Sequence, residues 1–73
     1  MANLQVDVRG ETCPVPLVEM RKALRKANEG DTIEILGTHP ASKKEIPMAA
    51  DALAVKIISN EQIGNEWKIV LQK

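Results

Sequence analysis

Phenylalanine and tyrosine are absent from this 73-residue chain, Trp67 is its only aromatic residue, and Cys13 is its only cysteine. A single thiol excludes an intramolecular disulfide and a structural zinc site built from several thiolates. With one aromatic residue the core must be aliphatic, and a platform of bases stacked on aromatic rings is excluded. Neither sign of charge is in excess: Lys and Arg total 10, Asp and Glu total 10, for a formal net charge of zero. The strong pull toward nucleic acid or an anionic membrane is therefore missing. No apolar run is long enough to span a bilayer, and Met1-Ala2-Asn3-Leu4 lacks the basic and apolar regions of a signal peptide. A reduced, cytoplasmic protein with a free thiol is expected. Repeats, linkers and low-complexity segments are also lacking, so residues 1–73 are expected to form one domain, acting as a monomer. A chain this short buries only about 60% of its unfolded surface, which makes regular secondary structure necessary.

The patterns that remain are regular. Leu4, Val6 and Val8 alternate with Gln5, Asp7 and Arg9, the period of a half-buried strand. From Leu17 to Asn28, Leu17, Met20, Leu24 and Ala27 form one apolar helical stripe, and Asn28-Glu29-Gly30-Asp31 supplies the stop, with Gly30 left-handed. Arg21, Lys22, Arg25 and Lys26 lie off that stripe, either as a solvated face or as a docking face for an acidic partner or RNA. Thr32 to Leu36 alternates as a second strand. Strand, helix and strand within this length make a βαβ unit with parallel strands. A second helix carries the stripe Ile46, Ala49, Ala50 and Leu53; it starts at Pro40 or at a capping box of Ser42 and Glu45. Pro47 lies inside it, as a kink or as the start of a fresh turn. Val55 to Ser59 and Glu66 to Leu71 read as two further strands joined by an Asn60–Asn65 hairpin loop with Gly64 at positive φ. The expected fold is α/β, an α+β two-layer sandwich in the order βαβαββ, with two helices on one face of a four-stranded mixed sheet and the other face partly exposed.

The chemistry centres on Cys13, in Gly10-Glu11-Thr12-Cys13-Pro14-Val15-Pro16. It stands directly before the first helix, where unpaired backbone N–H groups and the positive end of the helix dipole favour thiolate, the reactive form. Pro14 and Pro16 stiffen the approach, and Pro16 suits the first helical turn. The competing reading of an isolated cysteine is a small buried hydrophobe.

The run Asp7-x-Arg9-Gly10-x-x-Cys13-Pro14-x-Pro16 closely resembles the motif of the TusA/SirA/YedF family of small sulfur carriers. The likeness extends over almost the whole chain, through the βαβαββ order, Gly30-Asp31 and the Pro40-Ala41…Glu45-Ile46-Pro47 segment. In that family the cysteine accepts a sulfane sulfur as a persulfide, often from a cysteine desulfurase, and hands it to the next protein. The resemblance implies that Cys13 is the carrier residue, that Arg9, Gly10, Pro14 and Pro16 are its supporting motif, and that the partners are a sulfur donor and a sulfur acceptor protein. No cofactor or metal is implied beyond the covalent persulfide, and the role is a sulfurtransferase-like relay rather than a stand-alone enzyme. A single cysteine suits carriage, because a second thiol would attack the persulfide, release sulfide and leave a disulfide. Thr38-His39 replaces the acidic pair that TusA proper tends to have, and Met48–Leu53 resembles the YedF-like branch as much. Delivery to tRNA thiolation, to cofactor sulfuration and to sulfur metabolism are all open destinations.

Other residues carry two readings each. His39 precedes the second helix as Cys13 precedes the first; it either orients or protonates the sulfur or serves as an N-cap or loop residue. Arg9 either holds the loop and an anion or pairs with Asp7 or Glu11. Lys43 and Lys44 either flank the sulfur and attract an acidic partner or are simply solvated. Met48 is either exposed or packed, and Trp67 is expected to anchor the core, with stacking on a base as the minor alternative. Two functions of other classes compete with carriage: a small nucleic-acid-binding module, for which the charge and aromatic content are poor, and a regulatory interaction module in which Cys13 is not used.

Overall fold

The structure is a computed structural model describing residues 3–12 and 14–73. β1 (Asn3–Val8) turns one face inward, and Val8 at its end is buried. α1 (Val15–Lys26) follows, with Met20, Ala23 and Leu24 buried. It starts and ends two residues earlier than the apolar stripe implies. Its C-terminus is closed from a distance: the Lys73 ammonium donates to the Leu24 and Ala27 carbonyls at 2.7 and 2.9 Å, and the Asn28 N–H donates to Asp31 at 2.9 Å. Gly30 (φ +92°) then closes a separate turn rather than the helix itself.

β2 (Thr32–Gly37) pairs parallel with β1, Leu4 opposite Ile33 and Val8 opposite Gly37. α2 (Pro40–Ala52) begins on Pro40 and runs through Pro47 without interruption. The capping box at Ser42 and Glu45 does not form. Ser42 lies within the first turn of the helix, fully buried on the apolar stripe with Ile46 and Ala50. At the other end of that stripe Leu53 is 48% exposed, because the helix ends beside it at Ala52.

β3 (Lys56–Ile63) and β4 (Glu66–Gln72) form an antiparallel hairpin. β3 is four residues longer at its C-terminal end than its sequence suggests, and the connecting loop shrinks to Gly64-Asn65. Asn60, Glu61 and Gln62 read as loop because they are polar. They are exposed on an edge strand, where pairing with β4 draws on backbone rather than on apolar side chains. Gly64 takes φ +60° at the first central position, where a type II′ turn needs glycine. A bulge between Ile57 and Ser59 absorbs one residue.

The sheet order is β1-β2-β4-β3. Because β2 and β3 each pair antiparallel with β4, β1, β2 and β3 all run the same way. Both helices therefore return antiparallel to the strands, and their N-termini lie at one edge of the sheet. Ile33 and Ile35 of β2 and Trp67, Ile69 and Leu71 of β4 are buried beneath the helices with Met20, Leu24, Ile46 and Ala50. Trp67 anchors this layer at 1% exposed. Each large aliphatic side chain buried this way stabilises the fold by roughly 1.5–3 kcal/mol. The opposite face stays half-open and polar, with Lys68 facing Glu34 at 4.0 Å. Among the described residues no helix is long and apolar enough to cross a membrane.

Candidate functional site

The two segments that leave the C-terminal ends of β1 and β2 meet at the shared edge. After Val8 the chain reverses in a turn closed by the Glu11 N–H donating to the Val8 carbonyl at 3.1 Å. Gly10 occupies its third position at φ +82°, as a type II turn requires. A Cβ at Gly10 would meet nothing within 4 Å, so the demand for glycine is one of backbone conformation and not of space. The Gly10 N–H then donates to Thr38 Oγ1 at 2.9 Å, across 28 residues of sequence. This bond joins the segment bearing Cys13 to the segment opening α2. Beyond it, the Val15 N–H donates to the Thr12 carbonyl at 3.0 Å and the Val18 N–H to the Pro14 carbonyl at 3.0 Å, which starts α1. Pro14 stands at the N-cap, exposed; Pro16 is buried within the first turn. Cys13 itself lies outside the described residues.

Neither helix has an acidic residue in its first turn. The positive ends of the two helix dipoles at this edge are thus uncompensated within those turns, a setting that favours an anion. Glu11 stands two residues before Cys13 and is exposed.

His39 is the N-cap residue of α2, but its side chain caps no backbone amide. Its Nδ1 lies 3.1 Å from the Ser42 hydroxyl, and its carbonyl accepts the Trp67 indole N–H at 2.9 Å. The N-cap reading of His39 thus holds for its backbone position. The indole bond shows that Trp67 also holds the start of α2, a task the sequence did not reveal. Lys43 is half-buried and Lys44 exposed. With Thr38 they border an open groove of about 410 Å³ whose far side is the β3–β4 hairpin.

Arg9 is engaged elsewhere. Its Nε and Nη2 donate to the two carboxylate oxygens of Asp7 at 2.9 and 2.7 Å, and Nη1 lies 3.7 Å from Glu66. The pairing falls to Asp7, with Glu66 as the second carboxylate in place of Glu11. The Arg9 side chain, then its backbone N–H, hold the Asp7 carboxyl down at about 2. Ionised Asp7 is therefore favoured by the fold; its contribution is whole above about pH 4 and fades as pH falls through about 2. The pair is solvent-exposed, so the effect on stability is small. An NMR titration of Asp7 should place its midpoint near 2, and Arg9→Gln should return it toward 3.8.

Thr38 was legible only as a departure from the family motif, and nothing in the sequence marks it as the partner of Gly10. Thr38→Val removes the acceptor and should cost about 1 kcal/mol. Amide exchange at Gly10 should accelerate in that variant and stay slow in Thr38→Ser. Unchanged exchange in Thr38→Val would contradict the tether.

Residues 4–73 match the family described as Sulfurtransferase TusA. A chain from Thermotoga maritima, described as a candidate sulfur carrier protein, is 40% identical across 99% of this chain and 98% of its own. A second, from Methanocaldococcus jannaschii and described likewise, is 30% identical over 100% of this chain and 97% of its own. The crystal structure of a SirA-like protein from Desulfitobacterium hafniense superposes with a TM-score of 0.78 over 99% of this chain and 96% of that one; at 19% identity it attests the fold. A match of this extent, on a fold that brings the segment around Cys13 to the shared edge of two helix N-termini, places the chain in the TusA family of small sulfur carriers.

Proposed function

We propose that this chain accepts a sulfane sulfur on Cys13 and relays it to an acceptor protein. The Cys13 thiolate attacks the outer sulfur of a donor persulfide, such as that of a cysteine desulfurase. A new S–S bond forms to Cys13, the donor S–S bond breaks, and the donor cysteine leaves as thiolate. An acceptor thiolate then attacks the outer sulfur of Cys13–S–SH, and Cys13 leaves as thiolate. The sulfane sulfur keeps its oxidation level throughout, so no oxidant or reductant is consumed. The single cysteine protects the intermediate, since no internal thiol can attack its inner sulfur and discharge sulfide.

The observation that carries this reading is the tether between Gly10 and Thr38. It anchors the segment bearing Cys13 at the edge where both helix N-termini lie without first-turn carboxylates. Incubation with a cysteine desulfurase and cysteine, followed by intact-mass measurement, should show a gain of one sulfur that reductant removes. A chain that gains no sulfur from the desulfurase or from inorganic polysulfide would overturn the reading.

A further inference from the structure

Outside the Cys13 segment, a groove lies between the start of α2 and the β3–β4 hairpin. Thr38, Lys43 and Lys44 border one side, Gln62 and Asn65 the other, and Trp67 lies beneath. Its walls are held. The Gln62 amide donates to the Gly64 carbonyl at 2.8 Å, and the Trp67 indole is bonded to His39. No carboxylate lines it, and among the described residues neither Lys43 nor Lys44 has an ion pair. Glu66 adjoins the hairpin turn but is drawn to Arg9. The groove thus gathers two cations without an ion pair in a chain whose net charge is zero. It begins at Thr38, the residue that holds Gly10, three positions before Cys13 in the chain.

We infer that this groove docks an acidic, extended segment of the protein that exchanges sulfur with Cys13. The inference rests on the relay proposed above and adds the partner's chemistry. Two lysines opposite the polar Gln62 and Asn65 suit carboxylates on an extended chain. An RNA strand fits less well: a single pair of cations gives little counterion release, and Trp67 is too buried to stack on a base.

The test uses two short peptides, each bearing a cysteine activated as its thiopyridyl disulfide. One is rich in Asp and Glu, and the other has Asn and Gln in their place. The Cys13 thiolate attacks the peptide sulfur and expels thiopyridone, whose absorbance reports the rate. At low salt the acidic peptide should react roughly tenfold faster. The advantage should collapse in about 1 M salt, where the screening length shortens to about 3 Å. K43E/K44E should abolish it, whereas K22E/K26E, the same charge change on α1, should keep most of it. Equal rates for the two peptides in the parent chain would overturn the inference. So would a preference that survives K43E/K44E, one lost equally in K22E/K26E, or suppression of the acidic peptide's advantage only by an oligouridine competitor. If neither peptide nor neutral dithiodipyridine reacts, Cys13 is not a reactive thiol, and the relay falls together with the docking. Circular dichroism on each charge variant separates loss of docking from loss of fold.

Discussion

Cys13→Ser should abolish sulfur loading completely while leaving the melting temperature within a few degrees of the parent chain. Completeness is expected because no second thiol exists to take over. A hydroxyl at this place is ordinarily un-ionised at neutral pH and forms no persulfide. The fold should survive because, among the described residues, the edge is already built by contacts of other residues. The Val8–Glu11 turn, the Gly10–Thr38 bond and the first hydrogen bonds of α1 are made by backbone groups and Thr38, and the core is formed by β1, β2, β4 and the two helices. The measurement pairs intact mass after exposure to a sulfur donor with thermal unfolding of the same samples. Residual loading in Cys13→Ser would assign the sulfur elsewhere. A collapse in melting temperature would make Cys13 structural, the buried-hydrophobe reading of an isolated cysteine.

The second large effect is expected at Gly37, the last residue of β2. Its φ is not in the left-handed region, so backbone freedom is not the reason for glycine. The reason is Trp67. A Cβ at Gly37 would lie 2.8 Å from the indole Cε2 and still closer to two other ring carbons. The indole is 1% exposed and bonded to the His39 carbonyl, so it has little room to move. Gly37→Ala should therefore overpack the core, at a cost of about 2–3 kcal/mol. In a domain of this size that lowers the melting temperature by roughly 10 °C or more. The same ring positions the start of α2, so the indole N–H resonance should shift as well. Pairing Gly37→Ala with Trp67→Leu makes room for the methyl group, so the double variant should lose less than the sum of the single losses. A Gly37→Ala protein as stable as the parent, or strict additivity, would contradict the packing argument.

The relation between Gly37 and Trp67 also marks how far the sequence could be read. Period-two and helical stripes placed β1, α1, β2, α2 and β4 and the two-layer arrangement, because each of these elements buries one face and the apolar residues record it. β3 was truncated for the complementary reason: most of Lys56–Ile63 is exposed, and an edge strand held by its neighbour's backbone leaves no apolar period. The start of α2 was ambiguous because Pro40 and Ser42 carry competing signals. Burial decided between them, since Ser42 is enclosed and bonded to His39. Met48 lay off the apolar stripe and is 71% exposed.

At the site, Gly10 and Pro16 were legible from local chemistry: a glycine that ends the strand and a proline suited to a first helical turn. Contacts between segments were not. The Gly10–Thr38 and Trp67–His39 bonds each span 28 residues, and no local pattern encodes which hydroxyl or carbonyl will be opposite. A buried tryptophan does predict that its N–H has a partner, though not which one. Of the two readings of Arg9, the pairing with Asp7 is present, and the second carboxylate, Glu66, comes from a strand that no local pattern could have pointed to.

The most direct test of the central claim is the number of sulfane sulfurs the chain carries. The protein is loaded with a cysteine desulfurase and cysteine, freed of both, and treated with cyanide, which takes sulfane sulfur as thiocyanate and leaves the thiol. Carriage at Cys13 predicts thiocyanate equal in amount to the protein chains, with none from Cys13→Ser. Thiocyanate that is absent from the loaded parent chain, or equally abundant from the serine variant, would contradict it.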